Sequence, residues 1–103
     1  MTVIAYLSVA PVKEGSMADE VAKGVEALEE FDVSYETNAM GTVIEAEEIG
    51  ELFAAAQAAH EAVEGDRVST HLKIDDKRAS DQTADEKVEA VEEELGREAR
   101  SDT

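Results

Sequence analysis

Between residues 35 and 45 the chain reads YETNAMGTVIE, which concentrates uncharged hydrogen-bonding groups around one glycine and ends on a carboxylate. Thr37, Asn38 and Thr42 offer donors and acceptors without charge, as does the Asn38–Met40 backbone. Gly41 lets a ligand approach the main chain closely. Glu45 can accept from an N–H or balance a positive charge, and Tyr35 and Tyr6 offer flat surfaces for stacking. Together these groups suit a cationic or amidine-like heterocycle. The competing reading is a hairpin whose Thr and Asn side chains only satisfy turn geometry.

The other polar residues are less suggestive. His60 falls on the apolar side of a helical pattern, where a core-edge histidine held by one hydrogen bond is the simpler expectation than a ligand contact. His71 is expected mid-strand, at a subunit interface. The run KIDDKR (73–78) places two carboxylates side by side. Adjacent strand residues point to opposite sides, so Asp75 and Asp76 fit a strand-end salt-bridge cluster better than one metal ion. With no cysteine and two histidines, a thiolate or His-based metal site is not expected. There is no P-loop, no Gly-rich dinucleotide fingerprint and no Ser–His–Asp arrangement with a nucleophile turn. No catalytic residue, metal ligand or cofactor is expected.

Charge narrows the partners. Twenty-six acidic against nine basic residues give a net charge of −17. Nucleic acid is disfavoured because no basic footprint exists to displace counterions, and an anionic membrane is disfavoured for the same reason. At ~1 M salt the screening length falls to about 3 Å, so dense carboxylates scarcely repel and keep the surface hydrated. The composition therefore predicts a halophilic, cytoplasmic, acidic protein. The apolar N-terminus lacks a basic n-region and alternates with period two, as a strand rather than a signal peptide.

The elements that must position these residues follow from periodicity. Residues 2–10 alternate as a strand stopped by Pro11. Met17, Val21, Val25 and Leu28 recur at helical spacing, giving a helix over 17–30 capped by Ser16. DVSYET and GTVIEA pair as a hairpin, with Gly41 supplying a positive φ. A helix over 48–63 follows, with Ile49, Leu52, Phe53, Ala56, His60 and Val63 on its apolar side, closed by Gly65. Val68, Leu72 and Ile74 then mark a fourth strand. The order β-α-β-β-α-β predicts an α+β, ferredoxin-like sandwich with a four-stranded antiparallel sheet. An additional C-terminal helix starts at Thr83, whose capping box is completed by Glu86. The expected organisation is one domain over 1–96, including the helix at 83–96, and a flexible tail over 97–103.

In this fold one sheet face carries no helices. Ile4, Tyr6, Ser8, Val43, Glu45, Ser69, His71, Lys73 and Asp75 are expected on it, with Glu45 and Lys73 able to pair. A face with so few carboxylates predicts burial against another copy; a half-solvated sheet is the alternative. The thin stripe of Ala84, Val88, Val91 and Leu95 on the last helix is a second candidate interface, so a homodimer or homotetramer is expected.

The runs LSVAPV, GSMADEVA, YETNAMGTVIE, ELFAAAQAAHEAV, RVSTHLKIDDKR and KVEAVEEEL resemble the small thiamine-binding proteins of the YkoF-like superfamily, over roughly residues 3–95. The most specific piece is MGTVIE followed about twenty residues on by RVSTHLKID. The resemblance implies a ferredoxin-like subunit assembling into dimers or tetramers. It also implies thiamine, or its hydroxymethylpyrimidine half, as a small-molecule ligand bound without chemistry. By match of motif it carries over Ser8, Thr37, Asn38, Met40, Gly41, Thr42 and Glu45; Tyr35 joins them from the residue reading, and Arg67 and Lys73 have more of a structural role. The loop VKEGS after Pro11 departs from the family, which often has a glycine close after that proline. The function expected is non-catalytic binding of thiamine or its pyrimidine half by a homo-oligomer. The rivals are a structural or regulatory oligomer with no small-molecule ligand, and an enzyme whose active groups the sequence does not display.

Overall fold

The computed structural model describes residues 1–101. β1 (Thr2–Pro11) is followed by α1 (Ala18–Ala27), a 3-10 turn (Leu28–Glu30), β2 (Ser34–Thr37), β3 (Thr42–Ala46), α2 (Ile49–Ala62), β4 (Val68–Lys77) and α3 (Ala84–Leu95). The four strands form one sheet in the order β2-β3-β1-β4, every neighbouring pair antiparallel. This is the ferredoxin-like βαββαβ sandwich with an added C-terminal helix.

Alternation along β1 sets the two sheet faces. Val3, Ala5, Leu7 and Val9 are buried beneath the helices, while Ile4, Tyr6 and Ser8 between them are only half-buried on the open face. In β3, Thr42, Ile44 and Ala46 face inward and Val43 and Glu45 outward. The core is completed by Leu28 and by Leu52, Ala55, Ala56, Ala59 and Val63. Leu52 and Ile44 are wholly enclosed, and burying each side chain contributes about 1.5–3 kcal/mol. Small residues let α1 and α2 approach closely. A Cβ on Gly24 would lie 3.2 Å from Val63 Cγ2 and 3.3 Å from the Ala59 carbonyl oxygen.

Several local expectations change. β1 runs through Pro11, which pairs with Val68. Proline is tolerated there because the β1–β3 ladder has already ended at Leu7–Thr42, leaving β1 a neighbour on one side only. α1 takes Met17 rather than Ser16 as its N-cap; Ser16 Oγ accepts from the Ala18 amide at 3.3 Å. The helix also tightens to 3-10 geometry after Ala27. On α2, Ile49 and Phe53 are exposed and Ala55 and Ala59 take the inward positions.

The end of α2 is fixed by a side chain from α1 rather than by Gly65. Glu20 Oε1 accepts from the Glu64 amide at 2.8 Å, and its Oε2 meets Lys23 Nζ at 2.8 Å. Lys23 also reaches Glu64 at 3.1 Å. The Lys23 ammonium first, then the Glu64 amide, hold the Glu20 carboxyl below its ordinary range. Both carboxylates in turn raise the Lys23 pKa.

α3 begins with the expected capping box, Thr83 Oγ1 accepting from the Glu86 amide at 3.1 Å and Glu86 Oε1 from the Thr83 amide at 3.0 Å. It ends on Gly96 in the left-handed region (φ 72°), which glycine enters without steric cost. Ala99 then donates to Glu92 Oε2. The last two residues of the expected tail, 102 and 103, lie outside the described residues.

Candidate functional site

A cavity of about 180 Å³ lies on the helix side of the sheet, where the β1–β3 ladder stops. Its floor is β1 from Leu7 to Ala10, its far wall is α1 (Val21, Gly24 and Val25) with Leu28 of the 3-10 turn, and Ala59 of α2 closes the back. The hairpin loop from Thr37 to Thr42 overhangs it. No charged side chain lines it.

Six sequence candidates line the cavity: Thr37, Asn38, Met40, Gly41 and Thr42 from the hairpin, and Ser8 from an open-face position of β1. Thr37 and Thr42 are directly paired across β2 and β3 and both face inward. Their hydroxyls share one hydrogen bond at 2.9 Å. Whichever hydroxyl donates, the other keeps its own proton, so the pair can still give one hydrogen bond into the cavity. Asn38 is largely committed to the turn: its Oδ1 accepts from the Met40 amide at 2.9 Å and from the Gly41 amide at 3.2 Å. Its own amide donates to the Gly41 carbonyl at 2.8 Å. Met40 stands at the rim, 77% exposed.

Gly41 does not take a positive φ, contrary to expectation; among the described residues only Gly15, Gly65 and Gly96 do. Space is what it supplies. A Cβ there would lie 2.5 Å from Cε1 of Tyr6, whose hydroxyl donates to the Met40 carbonyl.

Two candidates stand apart. Tyr35 faces inward on β2 opposite Ile44, but its hydroxyl donates to the Glu29 carboxylate, which raises the Tyr35 pKa. It lines a neighbouring groove of about 500 Å³ together with Glu26 and Glu29, and that groove shares Val21, Val25 and Thr37 with the cavity. Glu45 projects from the open face, three positions from Thr42 and hence on the opposite side of the sheet. There its Oε1 accepts from the Ala84 amide, placing a carboxylate at the N-terminus of α3, where the helix dipole favours it. The expected Glu45–Lys73 pair is replaced by this cap.

Outside the cavity several of the remaining residues have local partners. Exposed His60 meets Thr70 Oγ1 at 2.5 Å through Nδ1, a single hydrogen bond but not at the core edge. Asp75 pairs with Lys87 at 3.2 Å and Lys77 at 3.9 Å, whereas Asp76 pairs with Arg78 at 3.2 Å. The Lys87 ammonium lowers the Asp75 pKa. Arg67 accepts from the Val12 amide through its carbonyl. The α1 wall was not foreseen as part of a site. Its signal was Gly24, a glycine in mid-helix flanked at helical spacing by Val21, Val25 and Leu28.

Fold and cavity define the class: an α+β ferredoxin-like chain with a small uncharged recess between its helices and one hairpin. Within that class, the chain belongs to the thiamine-binding protein family, whose profile matches residues 5–92. A UPF0045 protein of Methanothermobacter thermautotrophicus is 49% identical over 83 residues, covering 78% of this chain and 84% of that protein. The crystal structure of the hypothetical protein MJ1052 of Methanocaldococcus jannaschii is similar with a TM-score of 0.81 at 37% identity, covering 89% of this chain and 97% of that one. A structure from Thermotoga maritima shares the fold with a TM-score of 0.75 at 23% identity, covering 88% and 99% of the two chains. Among the described residues, no helix is long and apolar enough to cross a membrane.

Proposed function

We propose that the chain binds thiamine or its hydroxymethylpyrimidine half in the helix-side cavity, without turnover, as a cytoplasmic homo-oligomer adapted to high salt. The observation that carries the reading is the composition of the cavity. Its walls are aliphatic, its polar groups are neutral hydroxyls, amide and main chain, and no carboxylate, imidazole or amine is there to move a proton. At about 180 Å³ it is smaller than the ~300 Å³ low end for drug-sized ligands, which favours one heteroaromatic ring. The aminopyrimidine supplies such a ring, with nitrogen donors and acceptors for the Thr37–Thr42 pair.

The thiazolium of intact thiamine then belongs in the adjoining groove, where Tyr35 offers an aromatic ring and Glu26 and Glu29 offer charge. That assigns to α1 and the 3-10 turn after it the counter-charge the sequence suggested for Glu45. Family membership supports the ligand class.

One observation favours the rival reading of a structural or regulatory oligomer: the Asn38 side-chain oxygen is taken up by its own turn and the two threonines already bond each other. Isothermal titration in molar salt separates the two. Heat from thiamine and hydroxymethylpyrimidine, with none from a free thiazole, is the expected result. Silence from all three on folded protein sinks the binding proposal.

A further inference from the structure

Tyr6 lies on the open face of the sheet, in register with Val43 on one side and Lys73 on the other. It does not line the cavity. Yet its hydroxyl donates to the carbonyl of Met40, a residue that does. The contact passes beneath Gly41, where an added Cβ would fall 2.5 Å from Tyr6 Cε1, 2.7 Å from Cζ and 2.7 Å from the hydroxyl oxygen. The glycine therefore lets the ring lie flush against the loop backbone. From within the turn, Asn38 holds the amides of Met40 and Gly41. The stretch that overhangs the cavity is thus gripped by its own Asn38 and, from across the sheet, by Tyr6.

We propose that Tyr6 is a positioning residue for the cavity: through the Met40 carbonyl it sets the height of the 38–41 loop, and with it the affinity for a bound ring, from the opposite face of the sheet. The chemistry favours this role over simple packing. A phenol hydroxyl committed to a main-chain carbonyl defines a loop position, whereas the ring alone would only fill space. Released from Tyr6, the loop loses its anchor to β1 and is held by Asn38's bonds alone, so those bonds open more often and the loop can lift without unfolding the sheet.

The inference rests on the pocket reading proposed above, and two measurements on the full chain keep their failures apart. Tyr6→Phe keeps the ring and removes the hydroxyl; Gly41→Ala pushes against the ring and serves if the first variant fails to fold. Titration with hydroxymethylpyrimidine should weaken roughly five- to tenfold in either variant, the scale of one lost hydrogen bond. Amide exchange should quicken at Met40 and Gly41 while β3 and α2 keep their protection, which a general packing defect would not produce. If the parent binds and Tyr6→Phe binds equally well, the positioning role is overturned and the pocket stands. A flat titration of the parent sinks the pocket reading and the affinity claim together. Exchange, read without ligand, then reports whether Tyr6 holds the loop: unchanged rates at Met40 and Gly41 overturn that too.

Discussion

At the scale of single residues, parity along a strand decides which side chains can share a ligand. Thr37 and Thr42 are cross-strand partners on the inward face, so their hydroxyls meet. Glu45, an odd number of positions from Thr42, emerges on the other face and caps α3. That parity was legible in the sequence, since alternation already put Val43 and Glu45 outside; proximity along the chain hid its consequence. The partners of Asn38 were not legible, because an Asx side chain turns back on its own loop or reaches a ligand with the same composition. Substitution separates the roles. Thr42→Val keeps the shape and removes the hydroxyl, and should weaken hydroxymethylpyrimidine binding about tenfold in calorimetry, one good hydrogen bond's worth. Glu45→Gln should leave that affinity unchanged and instead lose helical signal in circular dichroism as the start of α3 frays. Loss of binding in Glu45→Gln, with Thr42→Val unaffected, would move the site to the open face.

At the scale of elements, the βαββαβ order followed from period-two and period-3.6 patterns, and the capping box of α3 was legible outright. What periodicity cannot carry is contact between elements distant in sequence. Glu20 resembled any first-turn carboxylate, but it reaches across to close α2 at Glu64 while Lys23 bridges both acids. The latch holds α1 and α2 together beside Gly24, one wall of the cavity. Because Glu20 titrates below its ordinary value of 4.5 in the folded chain, its contribution is fully present above that value and is lost as pH falls through the lower folded one. Glu20→Gln should therefore lower the melting temperature at pH 7, and the gap from the parent should shrink as pH drops below about 4.5, where the unfolded carboxyl titrates. Melting curves from pH 7 to pH 3 check this. A gap that stays constant, or widens in acid, would show that the Glu20 charge contributes nothing to the latch.

At the scale of the whole molecule, a slab of 46 × 38 × 18 Å has α1 and α2 packed on one side of its sheet and a largely bare layer on the other. Ile4, Tyr6 and Val43 lie half-buried on that layer. α3, anchored nearby through Glu45 and Lys87, buries none of its residues and leaves Val88, Val91 and Leu95 about half exposed. Both surfaces expose apolar residues on a chain of net charge −17, so association sets hydrophobic burial, which salt strengthens, against repulsion, which salt screens. Both terms change in the same direction. At ~0.1 M salt the screening length is about 10 Å, comparable to the spacing of charges across an interface; at ~1 M it is about 3 Å and the repulsion is nearly gone. Sedimentation should accordingly find an oligomer in molar potassium chloride that dissociates toward monomer as salt is diluted, with the melting temperature falling alongside. Val91→Glu, which adds charge to the α3 stripe without touching the cavity or the core, should shift the same transition to higher salt. A parent chain that stays monomeric in molar salt leaves α3 and the open face wet, and a mass and melting temperature indifferent to salt would separate the acidic surface from any role in stability.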